Sequence, residues 1–148
     1  MKNTSTALVL SLLTILLGAS GCSSPTPAAS PAAKAESEPE AIARTEFTDR
    51  VENYFEYEPL HAGKPSQFRI HLTDLADGSP VENADVSLLV RPKGGTGTPS
   101  ETKAKVGKVT GIYVVELTIS GPGEYDIEFH IKNPKLDERL PLSDFKVE

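Results

Sequence analysis

The sequence predicts an all-β fold: a single immunoglobulin-like β-sandwich of about seven antiparallel strands, preceded by a signal peptide and a disordered linker. Three observations predict it. Apolar residues recur at every second position in several runs, turn-forming residues interrupt those runs every eight to twelve positions, and no stretch reads as a convincing helix.

The chain opens with Lys2 and an apolar run, Ala7 to Leu17, that gives way to small residues. That order is the order of a secretory signal peptide, and the run is short for a permanent membrane helix. Residues 1–21 are therefore expected to be removed. Ala19, Ser20 and Gly21 directly before Cys22, the only cysteine, resemble the lipobox of bacterial lipoproteins. The resemblance implies that the Cys22 thiol is acylated and becomes the new first residue. An ordinary signal peptide followed by a free thiol is the alternative, although a free thiol is a liability in an oxidising compartment. Acyl chains hold a protein on a bilayer without spanning it, each buried methylene adding about 0.8 kcal/mol. Ser23 after the cysteine favours the outer over the inner membrane, by resemblance to the sorting rule of Gram-negative lipoproteins. The expected location is the periplasmic side of the cell envelope.

From Cys22 to Arg44 the chain is almost entirely Ser, Pro, Ala, Glu and Thr, with a single isoleucine in EPEAIAR. Such a stretch buries too little apolar surface to offset its ordering entropy, so residues 22–44 are expected to be a disordered spacer. Its prolines bias it towards extended structure, with a reach of roughly 70 Å when stretched.

Residues 45–148 are one domain of ordinary size. Strands are expected near 46–57, 66–74, 84–91, 101–107, 111–119, 123–132 and 140–147. Phe68, Ile70 and Leu72 alternate with Gln67, Arg69 and His71. Val86, Leu88 and Val90 alternate with Ser87, Leu89 and Arg91; Tyr125, Ile127, Phe129 and Ile131 alternate with Asp126, Glu128, His130 and Lys132. Each run has one apolar and one wet face. Gly63-Lys64-Pro65, Asp77-Gly78-Ser79-Pro80, Gly94-Gly95-Thr96-Gly97 and Gly121-Pro122-Gly123 turn the chain between them. There is no tryptophan and no second cysteine, so the core must be held by aliphatic and aromatic packing alone.

Charge narrows the function. Without Lys2 the chain carries 14 basic against 21 acidic side chains, a net of −7, which argues against nucleic acid and against an electrostatic grip on anionic lipid.

A family resemblance runs over nearly all of residues 45–148. It is carried by Thr45 to Asp49, Phe55 to Phe68, His71 to Val81, and Pro122-Gly123-Glu124-Tyr125. These segments look like the N-terminal immunoglobulin-like domain of periplasmic adaptor subunits of RND-type efflux pumps, particularly the heavy-metal branch. Gly111-Ile112-Tyr113 through the Pro-Gly-Glu-Tyr turn is also similar to YtkA-like and FixH-like sandwich domains. The resemblance implies an accessory role at an efflux adaptor or pump. The lipoyl-like domain, helical hairpin and β-barrel of an adaptor do not follow, so the chain is not expected to bridge a pump to a channel alone. Soft-metal transfer relies on thioether ligands in these families, and the only methionine is Met1.

Among candidate sites, His61, His71 and His130 are the only imidazoles, and a small periplasmic zinc- or copper-binding lipoprotein is the alternative function they suggest. No H-x-x-x-H or Cys/His spacing links them, and His71 and His130 are expected on the outer faces of opposite sheets. Asp74, Asp77, Glu82 and Asp85 cluster about one turn, as calcium ligands or, more simply, with Asp77 as a turn former. RPKGGTGTPSETK contains no G-x-x-x-x-G-K-[ST] phosphate-loop motif, joins strands where such a loop would open a helix, and reads as a surface loop. No catalytic constellation is present; neither an enzyme nor a cofactor beyond the covalent lipid on Cys22 is expected. Tyr54, Phe55 and Tyr57 form an aromatic cluster in the first expected strand, serving either as an edge that pairs with a partner sheet or as core, with Tyr54 facing away from the other two. Tyr125 is expected to be a structural tyrosine at a strand corner.

Overall fold

The computed structural model describes residues 40–95 and 98–148; the expected signal peptide, Cys22 and the linker up to residue 39 lie outside the described residues. Nine strands form two antiparallel sheets. They are β1 (Ile42–Phe47), β2 (Val51–Tyr57), β3 (Pro65–Asp74), β4 (Asp85–Pro92), β5 (Ser100–Lys103), β6 (Lys105–Val106), β7 (Ile112–Thr118), β8 (Gly123–Lys132) and β9 (Asp137–Val147). One sheet has the order β1-β2-β3-β7-β6 and the other β5-β4-β8-β9. The order β2-β3-β7-β6 against β4-β8-β9 is that of an immunoglobulin-like sandwich, with β1 and β5 added at the edges.

Two local events raise the count from seven to nine. The run expected at 46–57 breaks at Thr48, whose hydroxyl accepts the N–H groups of Arg50 (3.2 Å) and Val51 (3.0 Å). A threonine that bonds to the backbone two and three residues on builds a tight turn without glycine or proline. The run expected at 101–107 divides at Ala104. Residues before it pair with β4 and residues after it with β7, so the chain passes from one sheet to the other, held by the Ala104 N–H on the Val86 carbonyl at 2.8 Å. The expected spacer boundary at residue 44 is also corrected. β1 begins at Ile42 because Ile42, Ala43 and Arg44 pair with Tyr57, Glu56 and Phe55.

Most of the expected alternation is observed, except that Ser87 is also buried and Tyr125 is half-buried beside a register shift in β8. Phe68, Ile70 and Leu72 face inward from β3, Val86, Leu88 and Val90 from β4, and Ile127, Phe129 and Ile131 from β8, all buried. Where an antibody domain has its disulfide and tryptophan, this core has a group of aromatic rings. Phe55 lies 4.8 Å from Phe129 across the sheets, Tyr57 stacks on Phe68 at 4.8 Å, and Phe145 completes the group. Each such ring buries roughly 150–250 Å² and gains from its neighbours' offset geometry.

Arg44 covers the seam between the sheets at this cluster. Its guanidinium carbon is 5.0 Å from the centre of the Phe145 ring and 5.8 Å from that of Phe55.

Antiparallel order sorts the connections into two ends. The turn 48–50, the loop 75–84, the turn 107–111 and the turn 133–136 share one end. The loop 58–64, residues 93–95 and 98–99, and the turn 119–122 lie at the other, where β1 starts. At that second end Ala62 N–H bonds the Glu148 carbonyl (2.7 Å) and Glu148 N–H the Leu60 carbonyl (2.9 Å). β1 therefore starts at the end opposite the four gathered connections.

Candidate functional site

The end opposite the start of β1 is a cross-braced set of loops. Asn133 does most of the bracing: its side-chain oxygen accepts the N–H groups of Lys135 and Leu136, both at 2.8 Å, and its amide nitrogen donates to the Glu82 carbonyl at 3.1 Å. Arg50 donates to the Lys135 carbonyl at 2.9 Å, which ties in the β1–β2 turn. Tyr113, buried on β7, donates its hydroxyl proton to the Val81 carbonyl (2.9 Å) and accepts the Ala84 N–H (3.1 Å).

The turn 107–111 is locked to the same set. Leu72 N–H bonds the Gly111 carbonyl at 2.9 Å, and Gly111 has φ +78° with Pro80 so close that an added Cβ would lie 2.6 Å from the proline Cβ. Only glycine fits there.

Between the β3–β4 loop and the β8–β9 turn lies a cleft of about 360 Å³, lined among others by Asp74, Ser79, Glu82, Asn133, Lys135 and Leu136. Two large apolar side chains stand exposed at this end, Leu75 at 45 % and Val109 at 60 %. Asp74 and Glu82 are the carboxylates of the cleft, and Leu75 and Val109 stand on two different connections at the same end.

The carboxylates there serve the turn. Asp74 Oδ1 accepts the Ala76 N–H at 3.0 Å, and Asp77 Oδ1 accepts the Ser79 N–H at 2.9 Å. Hydrogen bonds from Ser79 hold the Asp77 carboxyl below its ordinary pKa, with a further lowering from the charge of Lys135. Asp85 stands apart as the first residue of β4. Among the described residues no three His, Cys, Asp or Glu side chains converge so as to hold a metal ion.

The three histidines occupy three different places. His61 is exposed in the loop 58–64 at the end where β1 starts. His71, on the outer face of β3, meets the Tyr54 ring edge-on at 5.3 Å. His130 lies on the outer face of the other sheet, with Nε2 2.9 Å from Asp137 Oδ1. Ser87 sits opposite His130 in the β4–β8 ladder, but His130 is bonded to Asp137 and no hydrogen bond joins it to Ser87 among the described residues.

Phe55 and Tyr57 face inward and Tyr54 outward, its hydroxyl donating to Glu56 at 2.8 Å. The edge reading of this cluster is overturned, because β2 lies between β1 and β3 and has no free side. Tyr125 is at a corner as expected, its hydroxyl on the Gly121 carbonyl at 2.9 Å. The glycine loop opens at the end where β1 starts, and there Lys93 bonds Asp144 (3.1 Å) and approaches Glu124 (3.4 Å); Thr96 and Gly97 lie outside the described residues.

Sequence reasoning missed Asn133, Tyr113 and the clamp on Glu128, which lies 2.8 Å from Arg139 and 3.4 Å from Arg91. Burial opposes ionisation of Glu128, but the bonds from Arg139 and Arg91 outweigh it and lower its pKa. The signal available for Asn133 was Asn-Pro-Lys between two strands, a turn former in a turn position. The Glu128 contacts depend on register and left no local signal.

Residues 48–130 match the model of a family described as YtkA-like. The match runs from the β1–β2 turn to His130, so β1 and β9 lie outside it. No curated protein and no solved structure matches the chain.

Proposed function

The chain belongs to the YtkA-like family, and on that premise we propose that it is a non-catalytic accessory domain, held at the periplasmic face of a bacterial membrane by a lipid on Cys22. It docks through the loop end opposite the start of β1. The observation that carries this reading is the gathering of four braced connections, a cleft and exposed Leu75 and Val109 at the end opposite the first strand's start.

A spacer between the lipid and β1 raises the local concentration of that end near membrane partners without adding a contact. Rigid bracing lowers the ordering cost of binding. The partner proposed is an adaptor or pump of RND type in the heavy-metal branch, and the membrane favoured is the outer one. The link to efflux rests on resemblance of sequence segments, an argument by analogy. The metal-buffer alternative draws no support from the positions of His61, His71 and His130.

In-cell cross-linking of the full chain, with mass spectrometry of what it captures, tests the proposal. Recovery of an efflux component that disappears in a Cys22→Ala form is the expected result. Equal recovery from both forms removes the role of the anchor, and capture of no envelope protein removes the docking role.

A further inference from the structure

Among the described residues β1 is the outermost strand of its sheet and hydrogen-bonds on one side only, to β2. The turn fixes which of its backbone groups remain free. Thr48 N–H donates to the Val51 carbonyl at 2.9 Å, so Thr48 and Val51 are a hydrogen-bonded pair. Pairs alternate along an antiparallel ladder. Glu46, Arg44 and Ile42 thus point their N–H and C=O groups at β2, and Phe47, Thr45 and Ala43 point theirs away from it.

The guard on this edge is charge, Arg44 and Glu46 on the inner face, and the two are of opposite sign. The edge has no proline, no lysine and no bulge, and Phe47 (59 %) and Ile42 (41 %) are exposed along it.

We infer that β1 pairs with β1 of a second copy of this chain, antiparallel about Thr45, joining two five-stranded sheets into one. Register singles out this arrangement. Thr45 opposite Thr45 pairs Ala43 with Phe47 and Phe47 with Ala43, so the free N–H and C=O groups of all three residues find partners. The same register sets Arg44 against Glu46 of the second copy, and Glu46 against Arg44. Both side chains are half-buried and already bond each other within one strand, Nη2 to Oε1 at 2.6 Å. Opposed unlike charges and paired threonines stabilise a sheet, while like charges directly opposite destabilise it. The neighbouring registers that keep free groups facing free groups set Arg44 against Arg44 or Glu46 against Glu46. A small residue also meets a large one, Ala43 against Phe47. The partner is therefore a copy of the chain in preference to an arbitrary extended peptide. This pairing is independent of which protein the remote loops contact.

The test uses the full chain in its membrane, where confinement raises the encounter rate. Thr45→Cys under mild oxidation is expected to give a disulfide-linked homodimer about tenfold more than Glu101→Cys on the edge strand β5, a separation well above chance collision. The unsubstituted chain sets the background from Cys22. Adding Glu46→Arg to Thr45→Cys opposes like charges and should reduce the dimer at least about threefold, with Arg44→Glu in the same chain restoring it.

Arg44 also covers Phe145, so a second arm leaves Arg44 in place and uses Thr45→Pro. The Thr45 N–H points away from β2, so proline there leaves the β1–β2 ladder intact and blocks the pairing. It is expected to abolish the disulfide between Ala43→Cys and Phe47→Cys in a chain carrying both, with unchanged circular dichroism. Cross-linking at residue 45 no greater than at residue 101, a dimer indifferent to Glu46→Arg and Thr45→Pro, or capture of a different polypeptide by the Thr45→Cys chain overturns the inference.

Discussion

The rings of Phe55 and Phe129 meet at 4.8 Å across the sandwich, one from each sheet, and both are fully buried. With no disulfide available to the core, this contact is one of the few that fastens the sheets by large side chains. Phe129→Ala is expected to cost about 3–5 kcal/mol in urea unfolding, whereas Tyr54→Ala on the outer face costs under about 1 kcal/mol. Equal losses would place the fastening elsewhere.

Much of that core was legible because its strands alternate cleanly. Phe68-Ile70-Leu72 and Ile127-Phe129-Ile131 commit their faces by period two, and Pro122-Gly123 announces the corner that Tyr125 closes. The missing detail was non-local or chemically quiet. Thr48 turns the chain through its hydroxyl, Ala104 changes sheets with no breaker residue, and Ile42 becomes a strand residue only because β2 is there to receive it. The loop bracing by Asn133 and Tyr113 depends on segments tens of residues apart.

Tyr113 gives a second prediction. Its hydroxyl serves two buried partners, the Val81 carbonyl and the Ala84 N–H. Tyr113→Phe leaves both without it and is expected to cost about 1–3 kcal/mol. Hydrogen exchange at Ala84 should rise more than at Ile70; uniform acceleration would show a global effect only.

Asn53 runs the other way. It is fully buried on the inner face of β2, and neither its side-chain oxygen nor its nitrogen has a partner among the described residues. Replacing an unpaired buried amide by an apolar group of similar shape removes a desolvation cost, so Asn53→Leu should raise stability by about 1 kcal/mol. A loss of similar size would mean that an ordered water serves the amide.

Acid stability tests the outer face of the second sheet. His130 and Lys132, each 2.9 Å from the Asp137 carboxylate, hold its pKa down to about 2. The folded pKa lies below the unfolded one, so this stabilisation is complete above about pH 5 and fades as pH falls towards 2. The stability gap between the native chain and Asp137→Asn should therefore narrow across that window. A gap independent of pH would contradict the assignment.

On the proposed docking, the working end of the sandwich is at the connections opposite the start of β1. A photo-cross-linking residue placed at Leu75, at that end, should capture an envelope protein from intact cells, and the same residue at Lys64, at the end where β1 starts, should not. Capture from Lys64 alone, or equally from both positions, would contradict this assignment of the working end.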